Sequence, residues 1–177
     1  RESFGPPLRN ILQAMIQITA NNKNTRIFFF VYSNPKVREL AYELLKNNDR
    51  ITLLDPLEYE DFVKLMFRSD LIITDSGGIQ EEAPSLNKPV LVIRDTTERP
   101  EGIKTGTAKL IGTDISSIVN ETELLLNNQT AYDKMAETKN PYGDGYASYR
   151  ILSVLNQYFN VHTDSLNNGY IPVSLAS

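Results

Sequence analysis

The sequence predicts an α/β fold with a doubly wound parallel sheet, and two features of the 177-residue chain indicate it. Short apolar runs of strand length alternate with amphipathic segments of helical length, at intervals of about 20–25 residues. The apolar runs are continuous, as in Leu71-Ile72-Ile73, which is typical of parallel strands covered by helices on both faces. Right-handed crossovers between such strands give a Rossmann-like layout.

The first half of the chain alternates helical and extended segments. Apolar positions that recur every three or four residues predict helices with one buried face, and the apolar runs between them predict strands. Asn34 followed by Pro35 is typical of a helix N-cap and first helical position. The predicted elements of this half are helix 7–20, buried strand 26–32, a helix from 35, strand 51–54, and helix 58–68 with Phe62, Leu65 and Met66 facing inward.

The second half continues the same alternation. Its clearest strand is the apolar run flanked by Asp70 and Asp75, and Gly77-Gly78 opens the helix that follows. The predicted elements are strand 70–74, a helix from 77 that ends before Asn87-Lys88-Pro89, strand 90–93, a weaker strand 108–111, and two or three helices ending with 147–159. Residues 160–177 lack periodicity and are interpreted as a tail, so the expected domain is residues 1–159.

Composition excludes several classes of function. The net charge is −4 and the pI is near 5.1, which argues against nucleic acid or an anionic membrane as a partner. Cysteine is absent and His162 is the single histidine, so we expect no metal site, and His162 is interpreted as an exposed residue of the tail. No cofactor is expected. A membrane-spanning helix needs about 18–20 consecutive apolar residues, and no apolar run in the chain approaches that length. A cytoplasmic location is expected.

The strongest chemical pattern is Thr74-Asp75-Ser76-Gly77-Gly78-Ile79-Gln80-Glu81-Glu82, directly after a predicted strand. Two glycines allow a ligand to approach the backbone, and the first N–H groups of a helix favour an anion. Ser76 can add a hydroxyl donor. The segment is neither a Walker A motif nor a Gly-x-Gly-x-x-Gly motif. Two interpretations stay open here: a phosphate-binding turn, and a plain strand–helix turn capped by Ser76.

Charged residues follow this turn and the next strand. Glu81 and Glu82 lie in the first turns of the predicted helix and point in different directions, so at most one is expected to reach a ligand, where it could accept from ribose hydroxyls. Residues 94–102, Arg-Asp-Thr-Thr-Glu-Arg-Pro-Glu-Gly, form a charged loop after strand 90–93. Such loops are commonly solvated, but the expected closeness of the two strand ends favours a site.

Two other segments indicate little by themselves. Residues 1–5, Arg-Glu-Ser-Phe-Gly, precede the first helix. Residues 140–145, Asn-Pro-Tyr-Gly-Asp-Gly, are rich in turn formers and predict the entry to the last helix, with no catalytic role.

Together and in this order, the four segments resemble the non-hydrolysing UDP-N-acetylglucosamine 2-epimerase family. The carboxyl-terminal half of that family carries His-Arg-Arg-Glu-Asn-x-Gly, Asp-Ser-Gly-Gly-x-Gln-Glu-Glu, Thr-Thr-Glu-Arg-Pro-Glu-Gly and Asn-Pro-Tyr-Gly-Asp-Gly. Residues 75–82, 96–102 and 140–145 match the last three motifs, and residues 1–5 match the end of the first. The chain departs from the family at Ser3, where Asn is usual, and at Tyr32, where many members have His.

The resemblance covers about residues 1–158 and implies one of the two Rossmann-like domains of a GT-B-like enzyme. This domain would be the carboxyl-terminal, UDP-binding one, with the amino-terminal domain outside this chain. The resemblance implies catalytic roles for Arg99 and Glu2, and contacts with UDP for Arg1, Ser76, Gly77, Gly78 and Glu82. The three residues of the turn would hold the diphosphate and Glu82 the ribose. Phe62, with Pro56 and Leu57, is interpreted as a wall for the uracil ring.

The family reaction converts UDP-N-acetylglucosamine to UDP-N-acetylmannosamine by elimination and re-addition of UDP. The groups that move protons belong to the amino-terminal domain, so this chain is expected to be inactive alone, and the full-length enzyme is expected to be a homodimer. Three alternatives stay open: a hydrolysing 2-epimerase that releases N-acetylmannosamine and UDP, a stand-alone UDP-sugar binding module, and a GT-B glycosyltransferase, against which the four motifs argue.

Overall fold

The computed structural model describes residues 5–31 and 34–159. Arg1, Glu2, Tyr32 and His162 therefore lie outside the described residues, and so does the expected tail. The chain divides into two units, Arg1–Tyr142 and Gly143–Ser177. The domain limits 1–159 and 160–177 stay a prediction.

The first unit alternates helices and parallel strands, and residues 143–159, the described part of the second, contain one helix. The helices of the first unit are α1 (Pro6–Asn21), α2 (Pro35–Leu45), α3 (Tyr59–Arg68), α4 (Gly77–Glu82), α5 (Pro100–Thr105), α6 (Ile115–Asn127) and α7 (Gln129–Ala136). Its strands are β1 (Ile27–Phe30), β2 (Ile51–Leu54), β3 (Ile72–Thr74), β4 (Val90–Val92) and β5 (Ala108–Leu110). The helix of the second unit is α8 (Ala147–Tyr158). The α/β class with parallel strands is confirmed.

In the described part of the chain, the five strands form two parallel sheets, one of two strands and one of three. β1 pairs with β2, with Ile27 opposite Ile51. β4 lies between β3 and β5, with Leu91 opposite both Ile73 and Lys109. Because β3 and β4 are parallel neighbours, the loops that follow them leave the sheet at the same edge.

Strand β4 is buried on both faces, as a doubly wound fold requires. Leu91 belongs to a core cluster with residues of α1, α2 and α6. Val90 and Val92 pack on the other face, in a second cluster that includes Ala83 and that Ile79 and Ile103 join from α4 and α5. Successive residues of a strand point to opposite faces, so helices cover this sheet on both sides.

The predicted helical faces agree with the observed burial, and one predicted strand does not. The apolar positions of α1 are buried: Leu8, Ile11, Leu12, Met15 and Ile18. Asn34 caps α2 by accepting a hydrogen bond from the Lys36 N–H over 3.0 Å. The strand predicted at 26–32 is present as β1, but its predicted burial was wrong at Phe28, which is 47% exposed. A continuous apolar run therefore overstated the burial of β1.

The helix predicted from Gly77 to before Asn87 has two parts. The α-helical part ends at Glu82, and a 3₁₀ turn continues over Ala83–Leu86. Pro84 lies in this turn, and proline has no N–H with which to continue an α-helix. Asn87 then adopts the left-handed conformation, with φ 54°, and ends the helical segment before β4.

Helix α8 exposes apolar side chains on several sides, among them Tyr149, Ile151, Leu152, Val154 and Tyr158. None of the helices in residues 5–31 and 34–159 is both long enough and apolar enough to cross a membrane.

Candidate functional site

The candidate site begins where β3 ends. The Thr74 hydroxyl accepts a hydrogen bond from the Ser76 N–H over 3.0 Å and shapes the turn into α4. Ser76 occupies the N-cap position of α4, yet its side chain makes no capping hydrogen bond there. The interpretation of this turn as one capped by Ser76 is therefore wrong, since Thr74 stabilises the turn instead.

The two glycines of the turn differ in what surrounds them. A Cβ atom at Gly77 would lie 2.7 Å from Glu98 Oε1 and 3.8 Å from Arg99 Cζ, so the charged loop passes directly over this residue. A Cβ atom at Gly78 would meet nothing nearer than the Ser76 hydroxyl at 3.9 Å. Gly77 thus allows the close approach of the loop, and the backbone of Gly78 stays accessible to a ligand.

Arginines of the charged loop after β4 form ion pairs within the loop and with α4. Arg94 Nη1 donates to Glu98 Oε2 over 2.6 Å. The pKa of Glu98 lies below its usual value because the carboxylate accepts from its own backbone N–H and lies near Arg94 and Arg99. Arg99 Nε donates to Glu81 Oε1, and this hydrogen bond raises the pKa of Arg99. Arg99 is thus a cation held between the two strand ends, and the expected closeness of the two loops is confirmed.

A buried amide connects the turn to Arg99. Gln80 is 0% exposed, and its Nε2 donates to the Ser76 carbonyl oxygen over 3.2 Å. Its Oε1 accepts from the Thr97 hydroxyl over 2.7 Å. Thr97 Oγ1 in turn accepts from the Arg99 N–H over 3.1 Å. Three consecutive hydrogen bonds therefore join the Ser76 backbone to the Arg99 backbone.

The segment interpreted as a helix entry reaches the same site. Asn140 donates to the Glu81 carbonyl oxygen over 3.4 Å and to the Ser85 hydroxyl over 2.6 Å. The Tyr142 hydroxyl accepts from the Gly102 N–H over 2.9 Å and donates to the Arg99 carbonyl oxygen over 3.2 Å. Asn140 thus supports α4 and Tyr142 supports the start of α5.

Glu81 and Glu82 point in different directions, as predicted. Glu81 binds Arg99, whereas Glu82 lies beside Tyr59 of α3, where its charge and hydrogen bond raise the pKa of the Tyr59 phenol. Phe62 packs edge-on against Phe30, with ring centroids 5.2 Å apart, at the carboxyl end of β1. An aromatic surface therefore lies at the end of the β1–β2 ladder.

The chemistry of the turn and loop suits an anion. The site presents the backbone N–H groups of a short helix start, the Ser76 hydroxyl and the Arg99 guanidinium. The Glu82 carboxylate already interacts with the Tyr59 phenol, which shows that it can accept from hydroxyl groups. α4 has only six residues, so its dipole is weak, and the Arg99 guanidinium, which is paired with Glu81, adds a positive charge beside the turn. Within the described residues, no group of three His, Asp or Glu side chains could hold a metal ion.

The structure connects four residues to which the sequence assigned no role in the site. These are Gln80, Thr97, Asn140 and Tyr142. Only Gln80 carries a local signal, because a buried polar residue on an otherwise apolar helix face requires a hydrogen-bond partner. The predicted site residues Arg1 and Glu2 lie outside the described residues.

Comparison with known proteins gives one consistent result. Residues 1–156 match the family model described as UDP-N-acetylglucosamine 2-epimerase. A probable UDP-N-acetylglucosamine 2-epimerase of Ralstonia nicotianae is 50% identical over 159 residues, which cover 90% of this chain and 42% of that protein. The UDP-N-acetylglucosamine 2-epimerase of Bacillus subtilis is 48% identical over a match that covers 88% of this chain and 41% of the Bacillus protein. The chain thus spans about 42% of the curated relatives it matches.

Solved structures agree with the sequence relatives. S. aureus MnaA in a co-structure with UDP superposes with a TM-score of 0.86 at 44% identity, covering 93% of this chain and 45% of that one. The UDP-GlcNAc 2-epimerase of Neisseria meningitidis, bound to UDP-GlcNAc, gives a TM-score of 0.83 at 42% identity, covering 89% of this chain and 42% of that one.

Proposed function

This chain belongs to the UDP-N-acetylglucosamine 2-epimerase family, and from that membership we propose that it is the UDP-binding half of a non-hydrolysing epimerase. The complete enzyme would interconvert UDP-N-acetylglucosamine and UDP-N-acetylmannosamine. The observation that carries the proposal is the accessible Gly78 backbone next to the Arg99 guanidinium, which lies over Gly77, at the shared edge of β3 and β4. That arrangement offers donors and a positive charge where a diphosphate needs them.

Each residue of the site has a proposed role. Ser76, Gly77 and Gly78 hold the diphosphate through the hydroxyl and backbone N–H groups, and Arg99 neutralises its charge. Glu82 accepts hydrogen bonds from the ribose, and Tyr59 beside it narrows the space the ribose can occupy. The edge-on pair Phe30 and Phe62 supports the proposal of a uracil wall at Phe62. Arg1 is proposed to contact UDP and Glu2 to act in catalysis.

The proposed chemistry uses this half to stabilise a leaving group. A base removes the proton at C2 of the sugar, and the electron pair of that C–H bond forms a C1–C2 double bond as the C1–O bond breaks. UDP departs with the electrons of the C1–O bond. The negative charge that develops on the diphosphate is stabilised by Arg99 and the turn. Re-addition of UDP and protonation of C2 from the opposite face give the epimer. The groups that move the proton are proposed to lie in the amino-terminal half, so this chain alone binds UDP without turnover.

The proposal also covers the domain limits, the oligomeric state and the cellular location. We propose residues 1–159 as the UDP-binding domain with a tail after it, a homodimeric full-length enzyme, and a cytoplasmic location. The relatives of more than twice this length support the proposal of a second domain.

A calorimetric titration of the 177-residue chain with UDP tests the proposal, with CDP and GDP as competing ligands. We expect saturable binding selective for uridine, weakened about fivefold or more in Glu82→Ala by the loss of hydrogen bonds to the ribose. Glu43→Ala, on the exposed side of α2, is the matched control and should bind as the original chain does. A folded chain that does not bind UDP would contradict the proposal.

Product analysis separates the proposed reaction from the hydrolysing alternative. The chain is combined with an amino-terminal half from a relative, and UDP-N-acetylglucosamine is followed by ¹H NMR. UDP-N-acetylmannosamine as product supports the epimerase, whereas free N-acetylmannosamine with UDP supports the hydrolysing enzyme. Tight UDP binding with no turnover in the combined protein would instead support a binding module.

A further inference from the structure

Helix α5 begins without a capping side chain of its own. Arg99 occupies the N-cap position, and its side chain makes no capping hydrogen bond, because a guanidinium carries donors only and cannot accept from helix N–H groups. It donates to Glu81 instead. Pro100, the first helical residue, has no N–H group. The N–H of Gly102, the third helical residue, is one of the two groups, with the N–H of Glu101, that an N-cap side chain would ordinarily bind.

Tyr142 supplies that missing cap from 40 residues further along the chain. Its hydroxyl accepts from the Gly102 N–H over 2.9 Å, as an N-cap oxygen would. The same hydroxyl donates to the carbonyl oxygen of Arg99 over 3.2 Å. Gly102 is required for this approach, since a Cβ atom there would lie 2.8 Å from the phenol oxygen. One hydroxyl thus fixes both the helix start and the backbone of Arg99.

Asn140 fixes the position of Tyr142 and also that of Glu81, the ion-pair partner of Arg99. Its Oδ1 accepts from the Tyr142 N–H over 3.0 Å. Its Nδ2 donates to the Ser85 hydroxyl and to the carbonyl oxygen of Glu81. The two members of the Arg99–Glu81 ion pair are therefore supported, at their backbones, by the same three-residue segment.

We propose that Tyr142 is a positioning residue, which acts as a remote N-cap of α5 and directs the Arg99 guanidinium toward the anionic group of the ligand. The proposal rests on the proposed function for the identity of that ligand, a nucleoside diphosphate. The phenol suits the task because burial raises the pKa of Tyr142, so it remains protonated and able to donate and accept together.

The test compares Tyr142→Phe with Tyr132→Phe in the 177-residue chain. Tyr132 also donates its hydroxyl to a backbone carbonyl oxygen, that of Asp70, over 2.8 Å, but at the opposite end of β3. Calorimetry with UDP and with uridine separates contacts with the diphosphate from contacts with the nucleoside. We expect Tyr142→Phe to weaken UDP binding by about five- to tenfold and uridine binding by less than about twofold. Tyr132→Phe should leave both ligands unchanged.

Two further measurements exclude a merely structural effect. In the Arg99→Ala background, Tyr142→Phe should weaken UDP binding no further, because the residue acts through Arg99. Asn140→Ala keeps the Tyr142 hydroxyl and should weaken UDP binding in the same direction, which provides a second variant if Tyr142→Phe folds poorly. Equal loss of UDP and uridine binding, or additive losses with Arg99→Ala, would overturn the proposal.

A ligand-free readout keeps this proposal distinct from the proposed function. Hydrogen exchange of the Gly102 N–H should accelerate in Tyr142→Phe and stay unchanged in Tyr132→Phe. If the original chain binds no UDP, the proposed function fails, and the exchange rate alone decides whether Tyr142 caps α5. An unchanged exchange rate at Gly102 would overturn the proposal whatever the affinity for UDP.

Discussion

The side-chain oxygen of Gln80 accepts a hydrogen bond from the Thr97 hydroxyl group, with 2.7 Å between the two oxygen atoms. Gln80 is buried in α4, and Thr97 lies in the charged loop after β4 and accepts from the Arg99 N–H. The position of the loop is therefore set from inside α4, as well as by its surface ion pairs.

Gln80→Met should destabilise the chain. Methionine fills a similar volume but leaves the Thr97 hydroxyl without its acceptor, and the Ser76 carbonyl oxygen keeps only the Gln80 backbone N–H as a donor. The lost hydrogen bonds cost about 1–3 kcal/mol in the free energy of unfolding. Urea unfolding followed by circular dichroism measures this loss. Gln129→Met, at an exposed position of α7, is the control and should change the free energy by less than about 0.5 kcal/mol. Equal stability of the two variants would refute the importance of the Gln80 connection.

Gly78→Ala should separate stability from binding. The Cβ atom has open space around it, and alanine favours a helix over glycine, so stability should stay equal or rise by up to about 1 kcal/mol. The same methyl group lies over the backbone that the diphosphate would approach, so UDP affinity should fall by about tenfold. Thermal unfolding and calorimetry on one sample check both. Unchanged UDP affinity would show that the ligand does not approach at Gly78.

Gly102→Ala should be destabilising, although alanine is otherwise the better helix former. The new Cβ atom would lie 2.8 Å from the Tyr142 hydroxyl and 3.3 Å from Thr107 Oγ1, and such overpacking costs about 1–3 kcal/mol. Tyr142→Phe removes the nearer atom. The double variant should therefore be more stable than the sum of the two single losses predicts, as measured by urea unfolding. If the losses of stability in the two single variants simply add in the double variant, the strain in Gly102→Ala does not arise from contact with the Tyr142 hydroxyl.

The start of α8 should weaken only in strong acid. Asp144 accepts from Arg150 over 2.8 Å and 2.5 Å and from the Tyr146 N–H over 3.1 Å. Arg150 first, and the Tyr146 N–H next, hold the pKa of Asp144 well below its usual range. Because the folded-state pKa is depressed, this stabilisation is complete above the ordinary aspartate pKa of about 3.9 and is lost as the pH falls through the folded-state value.

An NMR titration of the α8 amides between pH 7 and pH 2 measures this dependence. In the original chain, the amide shifts at the start of α8 should stay constant down to about pH 4 and change only below it. Asp144→Asn should abolish that acid transition. A transition of the same amplitude in Asp144→Asn would assign it to another group.

Local pattern accounts for most of the fold. The buried apolar positions of α1 follow from their spacing, and the Asn34 cap follows from the residue types at 34 and 35. Both are local signals, and both agree with the structure. The exposure of Phe28 could not be predicted in this way, because burial depends on which elements pack on β1 and not on the apolar character of the run. The 3₁₀ turn at Pro84 had a visible cause in the sequence, and the prediction of one uninterrupted helix overlooked it.

The site was predictable in part. Ser76, Gly77 and Gly78 were selected as candidates because a strand, a glycine pair and a helix stand next to each other in the sequence, and their contact with a ligand stays a prediction. The contact between Tyr142 and Gly102 spans 40 residues, and no local pattern encodes such a pairing. Asn140 to Ser85 spans 55 residues. The sequence alone therefore could not predict that Asn140 and Tyr142 support Arg99 and its partner Glu81, because these contacts depend on how the fold brings distant segments together.

The location of Asn140 and Tyr142 at the carboxyl end of the first unit, Arg1–Tyr142, has a consequence for biosynthesis. A ribosome makes the chain from its amino end at about 5–20 residues per second. The turn at Ser76 and the loop at Arg99 emerge first, but the hydrogen bonds that fix Arg99 to α5 wait for the last residues of the unit. The candidate site can therefore mature only after translation has passed Tyr142.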